Sequence, residues 1–247
     1  NKILPDVNDC IFVFDEAHHF SKKALSHFSI NASTEFMKTS IRQSQSAIDQ
    51  ISKITNQKTS ESHIKKVDEA IGELIEVITN FEYLDDVYLF DMSGVSSDVA
   101  NLGKNLLSIF NTAFGNFLDQ KDNWQDYCKR NTVKQIIMDN LNNIIGQNDQ
   151  NLSSIVSLLN AFTQNTHTDT PPTSNWIVKS KLPNKKINYH LNTAKIDVSN
   201  HLQSLIWSKA AGVIFTSATL TSLGSFDRMN QQLGLIYGYW IDWQVFH

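Results

Sequence analysis

The chain has 247 residues, 41% hydrophobic and 19% charged, with a net charge of −4. This is an ordinary globular composition, large enough for one or two cores, and the whole chain has no electrostatic footprint for nucleic acid. No apolar run reaches the ~18–20 residues that a membrane span needs, and no signal peptide is visible. The two cysteines, Cys10 and Cys128, make no disulfide framework, so a reducing, cytoplasmic compartment is expected.

Asn1 to Asp9 reads as a polar loop entering Ile11-Phe12-Val13-Phe14. Four apolar residues in a row predict a buried parallel strand, hydrophobic on both faces. It runs into Asp15-Glu16, and the C-terminal end of such a strand is where α/β sheets place ligands. The chemistry this suits is nucleotide hydrolysis. Asp15 would hold the water shell of a magnesium ion bridging the β- and γ-phosphates of ATP, and Glu16 would orient the attacking water. Two solvated acids at a strand end explain the pair equally well. His18-His19 invites zinc, but zinc wants about four placed ligands and the other histidines are scattered, so no metal is expected there.

From Ser33 the periodicity is helical. Phe36, Ile41, Ala47, Ile48, Ile51 and Ile54 mark one helix. A second, capped by Ser60 or Ser62, carries Ile64, Val67, Ile71, Leu74, Ile75, Ile78 and Phe81. Leu84 to Ser97 reads as a connection, with Tyr88, Leu89 and Phe90 as a short strand. A third helix carries Leu102 to Leu118, a fourth starts near Asp122-Asn123-Trp124 and carries Val133 to Ile145, and a fifth carries Leu152 to Phe162. Five amphipathic helices with short links predict an antiparallel bundle. No Glu-x-x-His pair falls on these faces, so a di-iron bundle lacks its ligands.

Thr163 to Ser174, with Pro171-Pro172, has linker composition. Trp176–Lys179 and Ile187–Leu191 predict a hairpin. Asp197-Val198-Ser199 opens a helix capped by Ser199, with Leu202, Leu205, Ile206 and Ala210 buried and Gly212 ending it. Gly212 to Phe215 then repeats the buried-strand pattern and ends in Ser217-Ala218-Thr219. Phe226 to Leu235 reads as a helix ending at Gly234. The aromatic tail from Ile236 to His247 fits either a strand or a stacking platform for bases. Charge is uneven. Residues 29–175 carry a net −7 and residues 176–247 a net +4, which makes Lys179, Lys181, Lys185 and Lys186 the candidate DNA contact.

Asp15-Glu16-Ala17-His18 resembles the second (Walker B) motif of superfamily-two helicases, and Ser217-Ala218-Thr219 their third motif. Ile3-Leu4-Pro5, Asp15 to His19 followed by a helix, and Phe215 to Arg228 are similar to the DinG branch of the XPD-like DNA helicases. That resemblance implies a mainly α chain: a helical, arch-like insertion (29–175) between two incomplete pieces (1–28 and 176–247) of an α/β RecA-like motor domain. It implies a 5′–3′ helicase of DNA repair or replication, powered by ATP and Mg2+. Asp15 and Glu16 would be catalytic, and His18, Ser217 and Thr219 would couple the nucleotide to the DNA path. Its partners would be single-stranded DNA, the remainder of the motor and a single-strand-binding protein, with no membrane. The chain has no initiator methionine and no Gly-x-x-x-x-Gly-Lys-Ser/Thr phosphate loop, so it reads as a fragment without ATPase activity of its own. A 4Fe-4S cluster is implied for the parent only, because two cysteines cannot supply four thiolates. The alternatives are a helical protein-interaction module with vestigial motifs, and an RNA helicase of the Asp-Glu-Ala-His class. In the latter the two motifs stand a few tens of residues apart, against about 200 here.

Overall fold

The computed structural model describes residues 6–59, 61–91, 94–164, 173–217 and 226–235. The chain forms two compact units, one drawn from residues 1–29, 170–173 and 194–247, the other from 30–169 and 174–193. The architecture is mainly α with partial α/β pieces.

The larger unit is built on four long helices. In α2 (Thr34–Thr55), Ser33 caps the start by accepting a hydrogen bond from the Phe36 amide, and Asn56 ends it in the left-handed region. Met37, Ile41, Ala47, Ile48 and Ile51 face inward. Phe36 and Ile54, expected on that stripe, are over a third exposed, because the buried face is rotated onto Met37. In α3 (Ile64–Thr79), Val67, Ile71, Leu74 and Ile78 are fully enclosed. The residue preceding this helix is His63, which gives no side-chain cap; Ser62 does not cap, and Ser60 lies outside the described residues. The His63 ring is buried instead, with Nε2 3.0 Å from Asn116 Nδ2.

Burial, followed by the charge of Lys66, holds His63 below the ordinary histidine pKa. The unfolded chain therefore takes up this proton first. The stability it contributes is intact above about pH 6.5 and is lost as pH falls through the lower, folded value. Thermal unfolding is expected to shift to lower temperature between about pH 7.5 and 5.5, and His63→Gln should shrink that shift. An unchanged shift in the variant would remove His63 from the account.

The stretch expected to hold three helices holds two, α4 (Ser97–Arg130) and α5 (Gln135–Thr163). Asp122-Asn123-Trp124 looks like a helix start, yet Phe110, Phe117 and Trp124 are spaced seven apart and all lie at 0–1% exposure. They are one seam of one helix. Likewise α5 runs through buried Asn148, whose amide donates to the Ile144 carbonyl and so lets the polar residue sit between Ile145 and Leu152. Trp124 Nε1 donates to Asn142 Oδ1 across the helix pair, and Lys121 pairs with Asp149 beside it.

A four-stranded antiparallel sheet in the order β2 (Ile30–Ser33), β5 (Ile187–Lys195), β4 (Thr173–Lys181), β3 (Val87–Leu89) lies on these helices. Its buried residues Ala32, Ile177, Tyr189 and Leu191 belong to the helical core. The hairpin β4–β5 thus folds with the helices, whereas the sequence groups it with the segment that follows. The Pro171-Pro172 linker lies outside the described residues.

In the smaller unit β1 (Ile11–Phe14) and β6 (Gly212–Phe215) pair in parallel, Ile11 opposite Gly212 and Phe14 opposite Phe215. Helices α1 (Phe20–His27), α6 (Ser199–Leu202) and α7 (Asp227–Leu233) accompany them. Phe14, Phe20, Trp207 and Phe215 make mutual ring contacts above Ala17, Leu202 and Leu233. The strands are not buried on both faces: Ile11 and Val13 are 66% and 62% exposed. Among the described residues the sheet has two strands and one covered face, so alternate side chains meet solvent. Asp197, not Ser199, serves the start of α6, accepting from the Ser199 amide and hydroxyl. The chain then widens into a π turn, Gln203–Trp207, which moves Leu205 out to 47% exposure. Gly212 opens β6 rather than closing the helix.

Candidate functional site

The parallel pairing of β1 and β6 continues past the last strand residues. The Thr216 amide donates to the Phe14 carbonyl at 2.9 Å, and the Ala17 amide to the Thr216 carbonyl at 3.0 Å. Two turns about 200 residues apart in sequence are thereby locked side by side. Asp15 follows Phe14 directly. Its Oδ1 accepts from Thr216 Oγ1 at 2.7 Å and from the Glu16 amide at 2.9 Å. The Thr216 hydroxyl first, then the Glu16 amide, holds the Asp15 carboxyl below the usual carboxylate range. Both contacts favour the charged form of this exposed carboxylate.

Glu16 takes a left-handed backbone conformation, φ 50° and ψ 43°, a state costing a non-glycine residue roughly 1–3 kcal/mol. Glu16 Oε2 lies 3.2 Å from His18 Nδ1. The same nitrogen lies 2.6 Å from Ser217 Oγ. In the tautomer with a proton on Nδ1 the carboxylate and the hydroxyl share that one donor; in the other the Ser217 hydroxyl donates to Nδ1. Ala17, at 3% exposure, anchors the turn in the core.

Four residues singled out in the sequence, Asp15, Glu16, His18 and Ser217, thus meet in one place. Thr219 lies outside the described residues. Thr216 was missed as a site residue, although its position just before Ser217, at the end of a strand pairing with β1, is the signal that would have found it. The four lysines belong to the other unit. Lys179 Nζ lies 3.4 Å from the centre of the Tyr83 ring, a cation–π contact. Lys181, Lys185 and Lys186 are exposed at the hairpin end.

No group of three His, Cys, Asp or Glu that could hold a metal occurs among the described residues. A hard cation such as magnesium, which keeps most of its water and needs one or two carboxylates, fits Asp15, whose second oxygen has no partner among the described residues. No helix among the described residues is long and apolar enough to cross a membrane.

Fold and site together describe a helical unit and a unit with two parallel strands, with two carboxylates, Asp15 and Glu16, at the C-terminal end of β1. Over 241 residues, 94% of its length, the chain is 24% identical to the ATP-dependent DNA helicase DinG of Photobacterium profundum. It spans about a third of that protein's length, 34%. No family model matches the chain.

Proposed function

We propose that this chain is the part of a DinG-like, ATP-dependent DNA helicase that carries the second and third motor motifs, with an arch-like helical domain between them. The observation that carries the proposal is the double link across the paired strands, Thr216 to Asp15 and Ser217 to His18. It joins the two motifs that a helicase must couple. The similarity to a DNA helicase over both units supports it, as does the solvent-facing side of a parallel sheet, a kind of sheet that normally has both faces covered.

In the longer protein Asp15 holds the hydrated magnesium ion, which neutralises charge on the phosphates. Thr216 keeps Asp15 ionised and aimed. Glu16 orients the hydrolytic water as general base. His18, touching both Glu16 and Ser217, reports the state of the nucleotide site to the strand that leads to Thr219 and the DNA path. Residues 1–28 and 194–247 belong to the first motor domain and the helical unit to the arch. Any 4Fe-4S cluster takes its cysteines from outside this chain. The phosphate loop also lies elsewhere, so the chain alone hydrolyses no ATP.

Single-stranded DNA meets the hairpin lysines in this reading. Fluorescence anisotropy on a labelled single strand should give binding that weakens steeply with salt. Neutralising Lys181, Lys185 and Lys186 together should lower the slope of log K against log salt by about 0.7 for each phosphate that is no longer held. Lys179, engaged by Tyr83, should contribute least. Absence of binding at low salt would remove the DNA surface from this chain and favour the helical protein-interaction module.

A further inference from the structure

The β4–β5 hairpin outreaches its neighbours. Strand β3 pairs with β4 only as far as Val178, and β2 pairs with β5 only from His190. Among the described residues the hairpin from Ser180 through Ile187 is therefore a two-stranded prong with no strand along either edge, and residues 183–187 at its end are all exposed. The turn is stiff. The Leu182 amide donates to the Lys186 carbonyl and the Lys185 amide to the Leu182 carbonyl, both at 2.9 Å. Asn184 Oδ1 takes the Lys186 amide at 3.0 Å. Pro183 fixes its own φ, and Lys185 occupies the left-handed position, φ 64°.

Two chemistries share this tip. Lys181, Lys185 and Lys186 form no ion pair among the described residues. The turn before β3 meets the hairpin at its base, where the Lys179 amide donates to the Asp86 carbonyl. Beside the lysines, Ile187 is 50% exposed. Lysines alone would blunt a free strand edge against aggregation; a half-exposed isoleucine works against that purpose. A rigid apolar edge flanked by cations is instead the combination that proteins insert at base steps, phosphates being held while the stack is opened.

We propose that the hairpin tip is a wedge for a junction between duplex and single-stranded nucleic acid, with Ile187 and Pro183 against the terminal base pair and Lys181, Lys185 and Lys186 on the phosphates. The proposal rests on the DNA-binding reading above and adds to it a structural preference and an opening step. Because the turn is already ordered, little entropy is lost on contact.

The test uses this chain with a forked duplex carrying 2-aminopurine at the first base pair, beside a single strand of equal length. The unaltered chain should bind the fork about fivefold more tightly than the single strand, the equivalent of about 1 kcal/mol, and raise the 2-aminopurine fluorescence as the base unstacks. Ile187→Ser, a change at an exposed position that should leave the helical circular dichroism intact, is expected to bring fork and single strand to parity and abolish the rise, with single-strand affinity unchanged. Retention of both preference and rise in Ile187→Ser would overturn the wedge. Equal binding of fork and single strand by the unaltered chain, with no fluorescence rise, would overturn it while leaving the DNA-binding reading intact. Binding of neither would overturn both.

Discussion

Trp124→Ala is expected to lower the stability of the helical unit by about 3–5 kcal/mol. The indole is 1% exposed, stacks near Tyr127 and donates to Asn142 across the α4–α5 pair. Truncation leaves a large void, because the seam through Phe110 and Phe117 holds the helices at their spacing. Urea unfolding followed by far-ultraviolet circular dichroism measures it. A loss under about 1 kcal/mol would mean that the end of the α4–α5 pair frays in solution and that α4 is two helices after all.

The second large effect is in the smaller unit. Gly234 ends α7 with φ +68°, and a Cβ built there would lie 2.7 Å from the Ser199 Cβ and from its carbonyl oxygen. Gly234→Ala meets both an unfavourable backbone conformation and a clash with main chain that has no rotamer to change. Together these are expected to cost about 2–4 kcal/mol. The loss should appear as hydrogen exchange at the Ala17 and Thr216 amides faster by roughly 30-fold or more, while the amides of α4 and α5 keep their rates. Unchanged exchange would show that α7 does not hold the paired strands together.

These two residues also mark how far the sequence could be read. Gly234 was legible because glycine just past a helix is the ordinary stop, and Ile11–Phe14 and Gly212–Phe215 were legible as short apolar runs. Their pairing was implied only by the resemblance. Trp124 was misread because Asp-Asn ahead of an aromatic mimics a helix start. Only the seven-residue spacing back to Phe117 and Phe110, a tertiary fact about which face is buried, overrides that local signal. The exposed faces of Ile11 and Val13 were illegible for a related reason. A strand's composition records the partners it is selected to meet, and the sheet here has two strands among the described residues. In the site, Asp15, Glu16, His18 and Ser217 stood out by type and order. Thr216 did not, since a hydroxyl gains meaning only once the parallel register sets it 2.7 Å from Asp15.

The pairing of Glu16 with His18 gives the site an economical logic. In the proposed mechanism the Glu16 carboxylate leaves the imidazole to orient a water, and the Ser217 hydroxyl, 2.6 Å from the same nitrogen, is placed to take over that contact.

The most direct measurement is DNA-stimulated ATP hydrolysis by the longer DinG-like protein proposed to carry this segment, unaltered and with Glu16→Gln. The change removes one carboxylate at an exposed turn and keeps the fold. Turnover should fall by about 10²- to 10⁴-fold, with single-stranded DNA binding retained. Turnover within about threefold of the unaltered protein would contradict the assignment of the Asp15-Glu16 strand end as the hydrolytic site.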